Sequence, residues 1–138
     1  MSSDVLGLGT DILEMERIRD IINNYGDRFI SRIFTLKEQD YCRKYKDPIP
    51  HFAARFSAKE AIVKALGTGF TKHIAWQDIE IANDGSGKPI VYFHTKLQKK
   101  TEGTCMHLSI SHCRSYVAAT ALWVKELKQT ERKAIQQS

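Results

Sequence analysis

Two acidic side chains and one lysine occupy positions that suit phosphate chemistry with a divalent cation. Asp11 follows a short apolar segment that contains glycines, and Glu60 and Lys64 lie four residues apart in a segment with helical periodicity. Neither acid has a histidine or cysteine beside it, and carboxylates alone suit a hard cation such as Mg²⁺ better than zinc. Such a cation completes its coordination with water and substrate phosphates, and Lys64 would add counter-charge to a diphosphate. The pattern therefore indicates phosphate-ester transfer.

Each of these residues also has a purely structural interpretation. Glu60 and Lys64 could form an i, i+4 ion pair that only supports the helix. Asp11 and Glu14 have the spacing of a capping box, which would make Asp11 the N-cap of a helix over about 12–24. From the spacing alone both interpretations stay open.

A third polar group lies at 107–112, in the order His-Leu-Ser-Ile-Ser-His. In an extended strand His107, Ser109 and Ser111 point to one face and the apolar residues between them to the other. This row could hold a phosphate, or it could be an ordinary solvated strand face. Because Ser111 and His112 diverge, the pattern does not favour a Ser–His nucleophile pair.

A central helix over about 52–66 must position the acid and the lysine. Pro50 precedes it, and Gly67 can supply a left-handed cap. An apolar face and a face of small residues indicate that the helix is mostly buried, so that its charges, Lys59 included, need partners. The first face comprises Phe52, Phe56, Val63 and Leu66, and the second comprises Ala54, Ala58, Ala61 and Ala65.

The remaining pattern predicts one α+β domain. A buried strand is expected over 5–9, and a capping box at Thr35 and Glu38 predicts a helix to about Tyr45. A second amphipathic segment spans 28–34. Further expectations are a hairpin of strands around a turn at 83–89, a short helix over 95–102, and two strands over 106–111 and 116–124, the last buried on both faces.

Composition limits the class of protein and of partner. A chain of 138 residues suits one domain, expected over 1–125 with a polar tail at 126–138. The net charge of +5 favours acidic or polyphosphate partners, without the long basic run that would predict nucleic acid. The three cysteines lack a CxxC spacing, which predicts free thiols in a reducing compartment. Without a signal peptide or a membrane span, a cytoplasmic location is expected.

Several segments, in order along the chain, resemble the signatures of the 4'-phosphopantetheinyl transferases. Gly9-Thr10-Asp11 followed by Arg17 resembles the first signature. The segment 55–61 (Arg-Phe-Ser-Ala-Lys-Glu-Ala) with Lys64 resembles the second, and Gly-Thr-Gly at 67–69 continues it. The likeness runs from about 6 to 124, includes 77–80, 87–89 and 107–112, and is greatest to the small, single-copy bacterial type.

The resemblance implies an α+β fold in which an antiparallel sheet packs against the long central helix. It implies transfer of the 4'-phosphopantetheine group from coenzyme A to a serine of apo acyl carrier protein, in support of fatty acid biosynthesis. By this analogy Asp11 and Glu60 would hold Mg²⁺ on the diphosphate. Lys64 would contact the diphosphate and assist departure of adenosine 3',5'-bisphosphate. The base that takes the serine proton is left open between Glu60 and a metal-bound water.

The resemblance also implies a set of residues for coenzyme A. Arg55 and His107 would serve the nucleotide phosphates, and the segment 87–89 would lie near the adenine. The complete set expected to bind coenzyme A is Arg55, Lys64, Gly67, Gly69, Gly87, Lys88, Pro89 and His107.

Carrier docking and assembly are implied in the same way. Arg17 and the first predicted helix would meet the acidic carrier protein, in keeping with the basic net charge. This helix departs from relatives richer in basic residues, since it has Asp and Asn at 20, 23 and 24 beside Arg17 and Arg19. Arg28 or Arg32 would then contribute to docking. Small members of the family form homotrimers with shared active sites, and a homotrimer is expected here.

Two other functions compete with transfer. A binding module for a nucleotide or an acidic protein would gain nothing from Asp11 and Glu60 in a basic pocket unless a metal lies there. A magnesium-dependent phosphodiesterase acting on nucleic acid would usually have more carboxylates for a two-metal site than this sequence offers. It would also have a basic stripe with exposed aromatic residues, which this sequence lacks. The sequence favours the transferase.

Overall fold

A long helix crosses one face of an antiparallel sheet in the computed structural model, which describes residues 4–70 and 74–127. The predicted α+β class is confirmed. Its elements are β1 (Val5–Glu14), α1 (Met15–Tyr25), α2 (Asp27–Ile33), α3 (Leu36–Arg43), α4 (Ile49–Leu66), a single 3₁₀ turn (Trp76–Asp78), β2 (Ile79–Asn83), β3 (Pro89–Phe93), α5 (Lys96–Lys100), β4 (Thr104–His112) and β5 (Tyr116–Lys125).

The sheet has three antiparallel strands in the order β1-β5-β4, and β2 and β3 form a separate hairpin. Asp11 pairs with Ala119, which pairs in turn with Ile110, so these three residues share the face that packs on α4. Leu8, Leu122 and His107 form a row on the opposite face. The predicted alternation along β4 is confirmed, because Leu108 is buried while His107 and Ser109 are exposed.

Helix α4 is the centre of the fold and is buried over most of its length. It begins at Ile49, three residues before its predicted start, because Pro50 is tolerated in the first turn, where a backbone N–H has no helical partner. It ends as predicted: Gly67 has a φ of 75° and caps the last turn from the left-handed region.

Two glycines of β1 allow the sheet to approach α4 unusually closely. A Cβ atom at Gly7 would lie 1.8 Å from the carbonyl oxygen of Ala65, and one at Gly9 would lie 1.9 Å from that of Ala61. Backbone therefore packs directly on backbone, with the alanine face of α4 turned to β1. This close contact sets how far Asp11, the next residue on the same strand face, stands from the helix.

The alternative in which Asp11 and Glu14 form a capping box is wrong. Pairing with β5 continues to the pair of Glu14 with Tyr116, so the chain stays extended through Glu14 and α1 begins at Met15. The predicted helix start near Ile12 is wrong for the same reason. At α3, by contrast, the capping box of Thr35 and Glu38 is confirmed, with both reciprocal bonds present.

The last strand is buried on one face only, which corrects the prediction that both faces are covered. Val117, Ala119 and Ala121 are buried under α4, whereas Ala118 and Leu122 are only partly covered. Helices cover one side of this sheet within a single chain. The hairpin, α5 and β4 agree with prediction to within one or two residues at most ends. Of the predicted tail at 126–138, only 126 and 127 lie within the described residues.

The contact between β1 and α4 predicts that Gly9→Ala is destabilising. The added methyl group would meet backbone, which cannot rotate away, so we expect a loss of about 3 kcal/mol in the free energy of unfolding. Urea denaturation at one protein concentration measures this loss. Gly85→Ala is the matched control, since a Cβ there has no heavy atom within 4 Å. Equal stability of the two variants would contradict the close-packing argument.

Candidate active site

Asp11 is held from two directions where β1 crosses α4. Ser57 donates a hydrogen bond of 2.8 Å to Asp11 Oδ2, and Lys64 Nζ lies 3.3 Å from Oδ1. Lys64 Nζ also donates to the backbone carbonyl of Thr10 at 2.9 Å. The carboxylate is therefore fixed in orientation by one hydroxyl and one ammonium group, both from α4.

Glu60 completes this group on the same side of α4. Burial raises the pKa of Glu60 above its ordinary value, the negative charge of Asp11 raises it further, and Lys64 opposes both effects. The described residues contain no ion pair between Glu60 and Lys64, whose ammonium contacts Asp11 instead. The simple helix-supporting pair is therefore not what the structure shows. Lys64 pairs with Asp11, and its charge only partly offsets the two carboxylates, so negative charge is left in excess.

The other residues expected to bind coenzyme A lie at two separate places. Arg55 is 4% exposed on α4, donates 2.8 Å to Asn83 Oδ1 and lies 4.1 Å from the centre of the Tyr41 ring. Its Nε is buried without a hydrogen-bond partner among the described residues. Arg55 borders a pocket of about 510 Å³, whose charged lining is Lys37, Asp40, Lys44, Arg55, Glu80 and His94.

Lys88, Pro89 and His107 come together in a different cavity, of about 570 Å³, between the hairpin and β4. Gly87 lies in the hairpin turn with a φ of 87°, and Asp84 accepts backbone hydrogen bonds from Ser86 and Lys88 there. Gly67 and Gly69 follow α4, also with positive φ. The structure thus gathers Asp11, Glu60 and Lys64 at one place and Lys88, Pro89 and His107 at another.

Arg17, expected to dock the carrier protein, is exposed on α1. Its neighbour Arg19 is engaged, with ion pairs of 3.1 Å to Glu16 and 2.9 Å to Asp47. A groove of about 690 Å³ lies beside α1, lined by Ile21, Tyr25, Arg28, Phe29, Arg32, Ile33, Phe56 and Trp76. An apolar floor with two exposed arginines at its edge suits an acidic, amphipathic partner.

Sequence reasoning did not assign the partner of Lys59. The Lys59 ammonium is fully buried and lies 2.7 Å from Glu38 Oε1, on the side of α4 away from Asp11. Burial lowers the pKa of Lys59, and the attraction of Glu38 opposes that shift. The position of Lys59 within an aromatic face signalled that a partner was needed. The identity of that partner depends on tertiary packing, which the spacing does not contain.

Comparison with known proteins identifies the family of the chain. A model of the 4'-phosphopantetheinyl transferase superfamily matches residues 7–121. "Holo-[acyl-carrier-protein] synthase" of Protochlamydia amoebophila is 51% identical over 118 residues, which are 86% of this chain and 97% of that protein. The protein of the same name from Chlamydia pneumoniae is 46% identical over 119 residues, with the same shares of 86% and 97%. The chain belongs to the 4'-phosphopantetheinyl transferase superfamily, as the signatures predicted.

Solved structures show the same fold. Holo-[acyl-carrier-protein] synthase from Neisseria meningitidis superposes with a TM-score of 0.82 at 33% identity, covering 88% of this chain and 99% of that one. The synthase from Bacillus anthracis, solved in complex with CoA (3',5'-ADP), gives a TM-score of 0.77 at 35% identity, covering 90% of this chain and 100% of that one.

Residues 4–70 and 74–127 contain neither a cluster of metal ligands nor a membrane-spanning helix. No group of three or more histidine, cysteine or acidic side chains is arranged to hold a metal, so a cation at Asp11 and Glu60 would have two carboxylates from this part of the chain. None of the helices described there is long and apolar enough to cross a membrane.

The raised pKa of Glu60 predicts a pH-dependent stability without metal. In the unfolded chain Glu60 titrates near its ordinary 4.5, and in the folded chain it titrates higher. At a pH between the unfolded and the folded pKa of Glu60, the folded state binds more protons than the unfolded state. The wild type therefore loses stability as the pH rises through this range, and it does not regain that stability at higher pH. Gln carries no charge and avoids this loss.

We therefore expect Glu60→Gln to melt above the wild type at pH 7 in EDTA, with the difference closing towards about pH 4. Thermal unfolding followed by circular dichroism across this range is the measurement. Glu102→Gln, at an exposed position, controls for the change in net charge. Coincident melting curves of Glu60→Gln and wild type at every pH would show that Glu60 carries no such penalty.

Proposed function

We propose that this protein transfers the 4'-phosphopantetheine group of coenzyme A to a serine of apo acyl carrier protein, giving holo carrier protein and adenosine 3',5'-bisphosphate. The observation that carries the proposal is the convergence of Asp11, Glu60 and Lys64 where β1 crosses α4. Relatives that are 46–51% identical over most of the chain are named holo-[acyl-carrier-protein] synthase. The product would supply fatty acid biosynthesis. Three free thiols suit a cytoplasmic location.

The residues present fit a bound Mg²⁺. Lys64 pairs with Asp11 only, and the repulsion between the two neighbouring carboxylates contributes to the raised pKa of Glu60. A divalent cation would relieve that repulsion, and an all-oxygen donor set is the type that magnesium prefers. Asp11 and Glu60 would hold the ion, and when bound it would neutralise charge on the diphosphate of coenzyme A.

Ser57 acts by orienting Asp11, and Lys64 acts on the substrate. Ser57 keeps Asp11 in one orientation, and Lys64 can exchange its present acceptors for a diphosphate oxygen because its side chain is about half exposed. In the transfer, the serine oxygen forms a bond to the phosphorus that bears the pantetheine. The bridging P–O bond breaks, and its electron pair leaves with adenosine 3',5'-bisphosphate, where Lys64 stabilises the new charge. Glu60 lies beside Asp11 and Lys64 and is a candidate acceptor for the serine proton.

The remaining residues would bind the nucleotide end of coenzyme A. The buried Nε of Arg55 lacks an acceptor among the described residues, and a phosphate oxygen would supply one. Lys88 and His107 line their own cavity and offer basic groups for another phosphate, with Pro89 beside them for the adenine. Gly67, Gly69 and Gly87 hold their loops at positive φ, where a backbone can approach a ligand closely.

The site is expected to be completed by another copy of the chain in a homotrimer. His107 lies on the sheet face opposite to Asp11, so one chain cannot bring both to the same phosphate chain across its own sheet. That opposite face exposes Leu8 at 65% and Ile12 at 71%. Large apolar side chains exposed on one sheet face suit a protein interface. Packing between copies would cover it and bring a neighbour's His107 towards Asp11.

The decisive experiment measures the intact mass of an apo acyl carrier protein after incubation with this protein, coenzyme A and Mg²⁺. We expect a gain of one phosphopantetheine, which EDTA abolishes because Asp11 and Glu60 hold the required cation. Glu60→Ala should lower the transfer rate by at least about a hundredfold while the protein stays folded. Glu102→Ala, at an exposed position, is the matched control. Transfer that survives both EDTA and Glu60→Ala would refute the metal role, and coenzyme A binding without any transfer would favour a binding module.

Docking of the carrier protein is expected at Arg17 and the groove lined by Ile21, Phe29, Phe56 and Trp76. Arg17→Ala should raise the KM for carrier protein about three- to tenfold and leave the KM for coenzyme A nearly unchanged, since only the carrier meets α1. The effect should shrink as salt screens the charges. Steady-state kinetics with each substrate varied gives both constants. Lys100→Ala removes a positive charge from α5 as the control, and equal changes in both KM values would contradict the docking role.

A further inference from the structure

Helix α4 carries a second charged group, on the side away from Asp11. The Lys59 ammonium is fully buried and makes three hydrogen bonds: 2.7 Å to Glu38 Oε1, 2.8 Å to the carbonyl oxygen of Ile33 and 3.1 Å to that of Trp76. A lysine has three donors, so none is left over. These bonds fasten α4 to the end of α2, the start of α3 and the 3₁₀ turn.

Glu38 is as completely used as its partner. Its Oε1 also accepts from the backbone of Thr35 at 2.9 Å, and its Oε2 accepts from the backbone of Ile81 at 2.9 Å. Glu38 is 1% exposed. One carboxylate therefore joins the capping box of α3 to β2 and to α4. The pair binds five segments of the chain at a single point.

Stability alone is a poor explanation for this pair. Removing two charges from water costs about as much as their attraction returns, and apolar replacements of buried pairs are often neutral or stabilising. What the pair does supply is geometry, because three directed bonds permit one rotation and one height of α4. Lys59 directly precedes Glu60, so any rotation that displaces its ammonium also displaces the Glu60 carboxylate from Asp11.

The same ammonium sets the wall of the groove lined by Ile21, Phe29, Phe56 and Trp76. The Trp76 carbonyl binds Lys59, and the Trp76 ring is stacked on Phe56 at 4.9 Å and on Phe70 at 3.7 Å between ring centres. Phe56 comes from α4 itself. Lys59 thus fixes the 3₁₀ turn that carries Trp76 relative to the helix that carries Phe56 and Glu60.

We propose that Lys59 and Glu38 are positioning residues for the transfer, which hold the Glu60 carboxylate and the Trp76 wall of the groove in one fixed relation. This inference rests on the proposed function, since it assigns the groove to the carrier protein and Glu60 to the reacting phosphate. Displacements of about 1 Å near a reacting centre can cost on the order of a hundredfold in rate, so loss of the pair should appear in kcat.

The test compares the double variant Lys59→Met/Glu38→Gln with a control of similar stability. The double variant leaves no unpaired buried charge, and Gln keeps an acceptor for a backbone N–H. Leu97→Ala is the control, because Leu97 is 1% exposed in the core on α5 and does not line the groove. Both are assayed well below their melting temperatures.

We expect kcat of the double variant to fall about tenfold or more, while Leu97→Ala stays within about twofold of wild type. A double variant whose kcat also stays within about twofold of wild type would overturn the proposal. Should the double variant fail to fold, Lys59→Arg replaces it, since it keeps a positive charge beside Glu38 but changes the lengths and directions of the hydrogen bonds. For this single variant we expect a fall in kcat of about threefold or more, and an unchanged kcat overturns the proposal.

A second readout does not depend on activity. The chain has two tryptophans, so in a Trp123→Phe background Trp76 is the sole tryptophan, and excitation at the red edge of the absorption band selects it over the five tyrosines. Loss of the pair should shift Trp76 emission to longer wavelength as the turn loosens, and Leu97→Ala should not. Emission that is unchanged in the pair variants would overturn the positioning of Trp76. If the pair variants show this emission shift but the wild-type protein transfers no phosphopantetheine, the result would instead refute the proposed function.

Discussion

The close contact of β1 with α4 is the constraint on which the rest of the structure depends. Gly7 and Gly9 bring the strand backbone against the carbonyl groups of Ala65 and Ala61, with no side chain between them. This approach brings Asp11 to the stretch of about two turns of α4 that carries Ser57, Glu60 and Lys64. It also gives α4 one neighbour made of backbone, so the helix can be buried on that side without large side chains.

Helix α4 contributes to two charged groups, one fully buried and one partly exposed. On one side, Lys59 and Glu38 are fully buried and every donor of the ammonium is used, which suits a part of the structure that must not move. On the other side, Lys64, which is about half exposed, pairs with Asp11 only, and the pKa of the neighbouring Glu60 is raised. Carboxylates left short of positive charge are costly unless a ligand supplies it, and that imbalance separates a functional site from a structural ion pair.

Sequence reasoning succeeded where local physics decides the outcome. The Thr35 cap, the Gly67 cap and the alternation along β4 follow from rules that act within a few residues. It failed near Asp11. The sequence there has the spacing of a capping box and predicted a helix start near Ile12, but pairing with β5 keeps the chain extended. It also could not find Glu38 as the partner of Lys59, because 21 residues separate them and only the packing of α3 on α4 joins them.

The arrangement on α4 also suggests why binding and chemistry belong to one element. Phe56 lines the groove beside α1, and Glu60 follows it by four residues, a rise of about 6 Å along the helix on nearly the same side. If the carrier protein binds in this groove, as proposed, its nearest residues would lie close to the Glu60 carboxylate. On the proposed function, the orientation of α4, which is buried over most of its length, would therefore set carrier docking and catalysis together.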